Sequence, residues 1–177
     1  MENDQTDCPL RSAIRDVPDF PKPGIVFKDI TPILKDHSLL QLSFDRLAET
    51  AGGQKIDKVV GIDARGFIFG AGVADRLGAG FVPIRKKGKL PWKTHSKGYD
   101  LEYGTAEVEV HEDALEKGER ILVVDDLLAT GGTAGAALHL IEALGGHVVS
   151  LSFLIELTFL NGRANLPGAK VNALISY

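Results

Sequence analysis

Two stretches of the chain repeat one pattern: an apolar strand, a polar loop, an amphipathic helix and a second apolar strand. The first stretch spans residues 59–85, and the second begins at Ile121. Both start with β-branched runs, KVVGI and ILVV, that are too short to be helices. Parallel neighbouring strands need a crossover, usually a helix, between them. The alternation therefore predicts an α/β domain with a mostly parallel twisted sheet flanked by helices.

The polar loops of the two stretches are DARG at residues 63–66 and DDLLATGGT at 125–133. The helices FIFGAGVADRL and AGAALHLIEAL follow them, and glycines come directly after both helices. FVPI and HVVSLSFLIEL supply the next strands. Ligands of open α/β sheets bind beyond the carboxyl ends of the strands. We therefore expect the two loops to converge on one crevice.

Overall composition excludes several classes of function. A net charge of −4 argues against binding nucleic acid or an anionic membrane through the charge of the whole domain. Cys8 is the single cysteine, which excludes a disulfide framework and a multi-cysteine metal site and is compatible with the cytoplasm. MENDQTDCPL has no apolar signal region, and no apolar run reaches the about 18 residues of a membrane span. We expect a cytoplasmic protein with small-molecule ligands, no nucleic acid and no membrane partner.

The glycine-threonine cluster Thr130–Thr133 lies where a predicted strand gives way to a helix. Free N–H groups and the positive end of the helix dipole favour an anion there, and glycines let the backbone approach it closely. This pattern predicts a phosphate-binding loop. A glycine-rich turn that serves tight packing alone remains the alternative.

Two adjacent acids, Asp125 and Asp126, precede this loop and would repel a phosphate unless each has another partner. A sugar diol or a cation is such a partner, and a ribose phosphate offers a diol and a phosphate together. Neighbouring residues on a strand point in opposite directions, so one of the two acids could instead be a helix cap or a solvated loop residue.

VVDDLLATGGT resembles the phosphoribosyl diphosphate (PRPP) signature of the type I phosphoribosyltransferases. DFPKPGIVFKDITP, GIDARGFIFG, RKKGKLP and YDLEYG occur in the order and spacing of the adenine phosphoribosyltransferase family, so the resemblance covers about residues 18–160. The signatures of P-loop NTPases and dinucleotide-binding Rossmann domains do not occur. The resemblance implies the type I fold, with a small N-terminal base-binding hood over residues 1–33. The core, residues 34–177, would include a flexible lid loop at 86–105.

The activity implied by the resemblance is purine salvage, in which adenine and PRPP give AMP and diphosphate. Mg²⁺ is the implied cofactor, held mainly by substrate oxygens, so we expect no dedicated metal site on the protein. A homodimer is also implied. Two alternatives stay open: a transferase for hypoxanthine, guanine or xanthine, and a regulator that senses PRPP without turnover.

The resemblance assigns the ribose hydroxyls to Asp125 and Asp126. It assigns the 5′-phosphate to five consecutive residues: Ala129, Thr130, Gly131, Gly132 and Thr133. Family members have a non-proline cis peptide at the position of Asp63 and Ala64, and Ala64 stands where many carry serine.

Three cations are candidates for binding diphosphate. Arg65 resembles the diphosphate-binding, catalytic arginine of the family, and its alternative role is an ion pair with Asp63 or another acid. Arg85 and Lys89 would hold the leaving diphosphate as the lid closes, whereas Lys86 and Lys87 are expected to face solvent. A competing interpretation is that residues 85–97, which include Trp92, bind nucleic acid through charge and stacking.

Glu102 resembles the proposed general acid/base of the family, and Tyr103 would close over the site. Glu102 could instead be a solvent-facing hairpin residue. For adenine, Phe27 would stack on the purine while backbone groups of Ile25, Val26 and Lys28 read its polar edge. Packing of the N-terminal arm is the alternative for Phe27, and Lys28 stands where arginine is frequent in the family.

Overall fold

The structure, a computed structural model, describes residues 8–101 and 104–177. Contacts between Cα atoms divide the chain into two compact units, Met1–Asp45 and Arg46–Tyr177. The predicted hood, residues 1–33, lies within the first unit, and its separation from the core at residue 33 stays a prediction. Among the described residues, no helix is long and apolar enough to cross a membrane.

The first unit is built from short elements. In chain order they are α1 (Pro9–Ala13), β1 (Arg15–Pro18), β2 (Val26–Asp29), α2 (Thr31–Lys35) and most of α3 (His37–Glu49). Strands β1 and β2 form an antiparallel pair in which Arg15 faces Asp29. The motif DFPKPGIVFKDITP thus contains the strand β2, and its last two residues begin α2.

A seven-stranded sheet forms the centre of the second unit. Its strands are β3 (Lys58–Ile62), β4 (Gly80–Lys86), β5 (Thr94–Leu101), β6 (Gly104–His111), β7 (Arg120–Leu128), β8 (His147–Glu156) and β9 (Val171–Ser176). Their order across the sheet is β5-β6-β4-β3-β7-β8-β9. The five strands from β4 to β9 in this order are parallel, and β5 and β6 run antiparallel at one edge. The predicted mostly parallel sheet is confirmed.

Two helices connect the parallel strands as crossovers: α4 (Gly66–Leu77) joins β3 to β4, and α5 (Gly132–Ala143) joins β7 to β8. From β3 the chain moves to one side of the sheet, and from β7 it moves to the other. Right-handed crossovers in opposite directions leave a crevice at the carboxyl ends of the two central strands. The loops that follow β3 and β7 therefore lie side by side.

The sheet has apolar side chains on both faces, as expected for parallel strands covered by helices. Val59, Val60, Leu122 and Val123 have no exposed surface. Helix α4 ends at Leu77 and is followed by Gly78, which adopts a left-handed conformation with φ of 60°. The predicted strands KVVGI, FVPI and HVVSLSFLIEL and the predicted stop at Gly78 are confirmed.

The predicted boundary between β7 and its loop is wrong by four residues. Strand β7 continues through Leu128, with Asp125 paired to Phe153 and Leu128 paired to Glu156 of β8. Both acids are therefore strand residues. The connecting loop is only Ala129–Gly131, because α5 begins at Gly132 rather than at Ala134. Two carboxylates interrupt the apolar run in sequence, but the hydrogen bonds of the ladder continue past them.

The segment predicted as a flexible lid loop, residues 86–105, contains a long strand. Residues 94–101 form β5, which pairs with β6 from Thr94↔His111 to Leu101↔Gly104. Part of the segment therefore belongs to the antiparallel pair of β5 and β6 at the edge of the sheet. Its movement as a lid stays a prediction.

Candidate functional site

The turn after β3 lies directly against the end of β7. The peptide bond between Asp63 and Ala64 is cis, as expected from the family. A Cβ placed on Gly66 would lie 2.6 Å from Asp125 Oδ1 and 3.1 Å from the Val124 carbonyl oxygen. A residue larger than glycine at position 66 would therefore push the start of α4 away from β7.

An ion pair joins the two loops. Arg65 Nε donates a hydrogen bond to Asp126 Oδ2 at 2.5 Å, although 61 residues separate them in the sequence. The Asp126 side chain is 9% exposed and that of Arg65 is 46% exposed. The alternative predicted for Arg65, an ion pair with an acid, is thus present, and the acid is one of the two predicted sugar-binding residues.

Asp125 has a different environment from its neighbour. Burial raises the pKa of the Asp125 carboxyl well above its usual range, and the nearby Asp126 carboxylate raises it further. The hydrogen bond that Asp126 N–H donates to Asp125 Oδ1 at 2.9 Å, and the charge of Arg65, oppose this rise. Asp125 therefore retains a proton more readily than an ordinary carboxylate.

The loop after β7 exposes backbone N–H groups at the start of α5. Gly131 precedes the helix with φ of 81°, a left-handed conformation. Gly135 N–H donates to the Gly131 carbonyl at 2.8 Å, which closes the first turn. The N–H groups of residues 132–134 precede this bond and have no partner within the helix. Such N–H groups, with the helix dipole behind them, form an anion site.

A cavity of about 80 Å³ lies against this loop. It is lined by the end of β7, the loop and the first turn of α5, including Asp125 and all five predicted phosphate-binding residues: Ala129, Thr130, Gly131, Gly132 and Thr133. Within the part of the chain that the structure describes, the hydroxyls of Thr130 and Thr133 make no hydrogen bond, so both are available to an anion.

A larger cleft of about 390 Å³ adjoins this cavity and shares Asp125, Ala129 and Thr133 with it. Both loops contribute to the cleft, whose lining includes Asp63, Ala64, Arg65, Lys86, Tyr99, Asp125 and Asp126. One continuous depression thus brings together the two acids, an arginine and the glycine-threonine loop. The predicted convergence of the two loops is confirmed at the level of geometry.

Arg85 and Lys89 are organised by a turn next to the cleft. Arg85 Nε donates to Asp63 Oδ2 at 3.4 Å, and Arg85 Nη1 donates to the Lys89 carbonyl at 3.0 Å. Glu109, 4% exposed, accepts hydrogen bonds from the N–H groups of Lys89 and Leu90 at 3.0 and 2.9 Å. The turn that carries Lys89 and contacts Arg85 of β4 is therefore held by a buried carboxylate.

The prediction that both neighbouring lysines face solvent is confirmed. Lys87 is exposed, and its ammonium lies 2.7 Å from Glu107 Oε2. Lys86 is also exposed, but it lines the cleft. Lys86 is the last residue of β4, and Lys87 begins the turn that follows it.

The four predicted adenine-binding residues lie on or beside β2 of the first unit. Ile25 and Val26 are 43% and 51% exposed, which is unusual for large apolar residues. Phe27 packs edge to face against Phe20, with ring centroids 5.2 Å apart. The Lys28 ammonium pairs with Asp16 at 2.7 Å, so its side chain already has a partner. The adenine-binding role of these residues stays a prediction.

Glu102 and Tyr103 lie outside the described residues, so their predicted roles are untested. Within residues 8–101 and 104–177, no three histidine, cysteine or acidic side chains cluster closely enough to hold a metal ion. Oxygen donors do occur in the cleft, since Asp125 and Asp126 both line it.

Comparison with known proteins gives the family. The family model for the phosphoribosyl transferase domain matches residues 34–158. An adenine phosphoribosyltransferase from Geotalea daltonii is 54% identical over 168 residues, which is 95% of this chain and 98% of that protein. The chain belongs to the adenine phosphoribosyltransferase family.

Solved structures of this family have the same fold. The enzyme from Thermoanaerobacter pseudethanolicus matches with a TM-score of 0.92 at 54% identity, covering 95% of this chain and 98% of that one. The enzyme from Saccharomyces cerevisiae matches with a TM-score of 0.88 at 41% identity, covering 93% and 96%. It was crystallised with adenine and an imino-altritol bisphosphate. The type I fold expected from the sequence is confirmed.

Several residues of the site had no sequence prediction. Tyr99 and Val108 of the hairpin line the cleft, and Glu109 supports the turn beside it. Asn165 reaches the glycine-threonine loop, since its Nδ2 donates to the Thr130 carbonyl at 2.7 Å. The Asn-Gly pair at 161–162 indicates a turn, but nothing local shows that this turn meets a loop 30 residues earlier.

Proposed function

We propose that this chain transfers a phosphoribosyl group from PRPP to adenine, and that the cleft beyond β3 and β7 holds PRPP. The observation that carries the assignment of the cleft is the contact between Arg65 and Asp126. It brings a cation suited to diphosphate and an acid suited to a sugar diol to one place, beside a loop suited to a phosphate. Membership of the adenine phosphoribosyltransferase family supports the chemistry.

The 5′-phosphate of PRPP would bind in the small cavity of the glycine-threonine loop. Ala129, Thr130, Gly131, Gly132 and Thr133 offer backbone N–H groups at the start of α5 and two hydroxyl donors. A positive helix end and several N–H donors bind a phosphate without any cationic side chain. This explains why a chain of negative net charge can hold a highly charged anion.

The ribose would lie over Asp125 and Asp126, which accept hydrogen bonds from its hydroxyl groups. Asp126 already receives a hydrogen bond from Arg65, so ribose and arginine share one carboxylate. Burial and the neighbouring Asp126 raise the pKa of Asp125, and its carboxyl oxygens can still accept hydrogen bonds from a diol.

The diphosphate would bind at the turn after β3. Arg65 and the adjoining backbone contact it, and Arg85 and Lys89 approach it from the base of the hairpin. Because Asp63 contacts the Arg85 side chain and Glu109 holds the backbone N–H of Lys89, the Arg85 guanidinium and the backbone that carries Lys89 are positioned without a ligand. Groups that are positioned beforehand stabilise charge on a leaving group at little cost of reorganisation.

In the reaction, adenine N9 forms a bond to C1′ of the ribose as the bond from C1′ to the diphosphate oxygen breaks. The diphosphate leaves with the bonding electron pair, and the N9 proton passes to a base. We assign this proton transfer to Glu102 and the covering of the site to Tyr103. We assign stacking on the purine to Phe27, and recognition of its edge to the backbone of Ile25, Val26 and Lys28.

Three further assignments belong to the same proposal. Mg²⁺ prefers oxygen ligands and keeps several waters, so it would enter bound to substrate oxygens, facing Asp125 and Asp126, and neutralise charge on the diphosphate. A homodimer is proposed from the family resemblance. A cytoplasmic location is proposed from the single cysteine, which is compatible with a reducing compartment.

A panel of bases tests the function. The chain is incubated with PRPP and Mg²⁺ and with adenine, hypoxanthine, guanine or xanthine in turn, and nucleotide formation is followed at steady state. We expect AMP to form with a much higher kcat/KM than the other nucleotides. Equal or faster formation of IMP or GMP would replace adenine by another purine. Binding of PRPP without turnover of any base would point to a regulator.

A further inference from the structure

A segment outside the predicted site packs directly on the glycine-threonine loop. It consists of Asn161 and the short 3₁₀ helix Gly162–Asn165. A Cβ placed on Gly131 would lie 2.2 Å from the Gly162 carbonyl oxygen, and one placed on Gly162 would lie 2.2 Å from the Ala129 carbonyl oxygen. Backbone therefore meets backbone here, with no side chain between. Neither the segment nor the loop can shift toward the other, so the position of the segment limits the position of the loop.

One side chain of the segment controls the orientation of a loop peptide. Asn165 Nδ2 donates to the Thr130 carbonyl oxygen at 2.7 Å. In a planar trans peptide, the carbonyl and the following N–H point in opposite directions. Holding the Thr130 carbonyl toward Asn165 therefore directs the Gly131 N–H away from Asn165. A loop without this bond could rotate the peptide and withdraw that donor.

The segment is itself anchored by a two-point ion pair. Arg163 Nε donates to Glu156 Oε1 at 2.8 Å, and Nη2 donates to Oε2 at 2.7 Å. The same guanidinium donates through Nη1 to the Val171 carbonyl at 2.9 Å. Glu156 ends β8 and is 5% exposed. Arg163 thus ties the segment to β8 and β9, because a buried carboxylate needs its cation.

We propose that the segment Asn161–Asn165 positions the phosphate-binding loop, with Asn165 and Arg163 as positioning residues that act through the Gly131 N–H. This inference rests on the proposed binding of the 5′-phosphate to that loop. The segment sets the affinity for the phosphate end of PRPP and AMP, and it leaves recognition of adenine unchanged. Neither residue is a catalytic residue.

Asn165→Ala is the main test, because this side chain is exposed and its loss creates no buried cavity. Ala164→Ser, an exposed neighbour in the same 3₁₀ helix, serves as the matched control. For each variant we would measure kcat, the KM values for PRPP and adenine, and the affinities for AMP and for adenosine, which lacks the phosphate.

Asn165→Ala should raise the KM for PRPP and weaken AMP binding about fivefold, the effect of losing one ordinary hydrogen bond. The kcat at saturating PRPP, the KM for adenine and the affinity for adenosine should stay unchanged. A merely structural role would lower the melting temperature without separating AMP from adenosine. Ala164→Ser should behave as wild type throughout.

Arg163→Lys is the second test, since a lysine keeps the charge but cannot make the two-point contact. Arg163→Lys should likewise raise the KM for PRPP and weaken the binding of AMP, without changing the affinity for adenosine. If this variant fails to fold, Asn165→Ala decides alone. Unchanged PRPP and AMP affinity in a folded Asn165→Ala variant would overturn the proposal, as would equal weakening of AMP and adenosine. If the wild-type chain binds AMP no more tightly than adenosine, the proposed phosphate site itself fails, independently of any variant.

Discussion

The loop after β3 and the loop after β7 meet at one edge of the sheet but are fixed by different kinds of interaction. The first is held by charged side chains, with Arg65 on Asp126 and Asp63 on Arg85. The second is held by backbone packing, with Gly131 against Gly162 and the Thr130 carbonyl on Asn165. Changes of charge should therefore perturb the first loop more than the second.

The largest effect is expected from adding one methyl group to the second loop. Gly131→Ala would place a Cβ 2.2 Å from the Gly162 carbonyl oxygen. We expect kcat/KM for PRPP to fall at least about 100-fold, which corresponds to roughly 2.7 kcal/mol. Steady-state kinetics at varied PRPP concentrations measure this fall in kcat/KM.

Gly118→Ala is the matched control for this variant. Gly118 has φ of 87°, similar to the 81° of Gly131, but a Cβ there would meet nothing within 4 Å. It carries the same backbone strain, about 1–2 kcal/mol, without the collision. Equal losses of activity in both variants would show that strain, and not packing on Gly162, explains the result.

The next largest effect concerns the ion pair of the first loop. Asp126→Asn keeps the shape of the side chain but removes the charge that holds Arg65. One charged hydrogen bond is worth about 1.5–3 kcal/mol, so kcat/KM for PRPP should fall about 10- to 100-fold.

Asp75→Asn is the control for charge, since Asp75 is 81% exposed and pairs with Arg76 at the far end of α4. Its kinetics should match the wild type. A folded Asp126→Asn variant with unchanged PRPP kinetics would remove Asp126 from the site.

A smaller effect is expected at Glu109, which supports the turn carrying Lys89. Burial alone would raise the pKa of Glu109, but hydrogen bonds from the N–H groups of Leu90, Gly88 and Lys89 and from Thr94 bring it below its ordinary value. Glu109→Gln should raise the KM for PRPP about two- to fivefold, since the shape of the turn is largely kept.

The stability of Glu109→Gln should depend on pH with a definite sign. The pKa of Glu109 is lower in the folded protein than in the unfolded chain, so its ionised carboxylate stabilises the fold at any pH above the unfolded-state pKa. This contribution is lost as the pH falls through the folded-state pKa. The wild type should thus be more stable than the variant at neutral pH, and the gap should close below about pH 4. Chemical denaturation across this pH range measures the difference in the free energy of unfolding between wild type and variant. A difference that does not change with pH would contradict a lowered pKa for Glu109.

The smallest expected effect separates two adjacent lysines. Lys86 lines the cleft, whereas Lys87 pairs with Glu107 outside it. Lys86→Ala should raise the KM for PRPP about two- to threefold at low salt, and less at high salt because exposed charges are screened. Lys87→Ala should leave this KM unchanged at both salt concentrations. Equal effects of both lysines would indicate general attraction by the hairpin rather than a contact in the cleft.

The same contrast explains what the sequence predicts and what it does not. Apolar runs and glycine stops are local, so they locate β3, α4 and β8, and the rule for parallel strands then places both loops at one edge. The end of β7 was misplaced because Asp125 and Asp126 break the apolar run, although the ladder continues. The strand β5 was missed because its polar residues pair with β6 through non-local contacts.

Contacts between distant residues were the least predictable part of the site. Nothing in the sequence indicates that Arg65 selects Asp126 rather than Asp63 as its partner. Gly162 and Asn165 act on the loop through backbone packing and one carbonyl, which leave no distinctive pattern of side chains. Resemblance to a family predicts which residues touch substrate, whereas the contacts of Gly162 and Asn165 with the loop are visible only in the structure.

The central claim is that the loop after β7 binds the 5′-phosphate and the turn after β3 binds the diphosphate. Calorimetric titration of AMP and of Mg²⁺-diphosphate into Gly131→Ala and Arg65→Gln tests it directly. We predict that Gly131→Ala weakens the binding of AMP far more than the binding of diphosphate. Arg65→Gln should weaken the binding of diphosphate more than the binding of AMP. Equal weakening of both ligands by each variant would contradict the division of the cleft between the two loops.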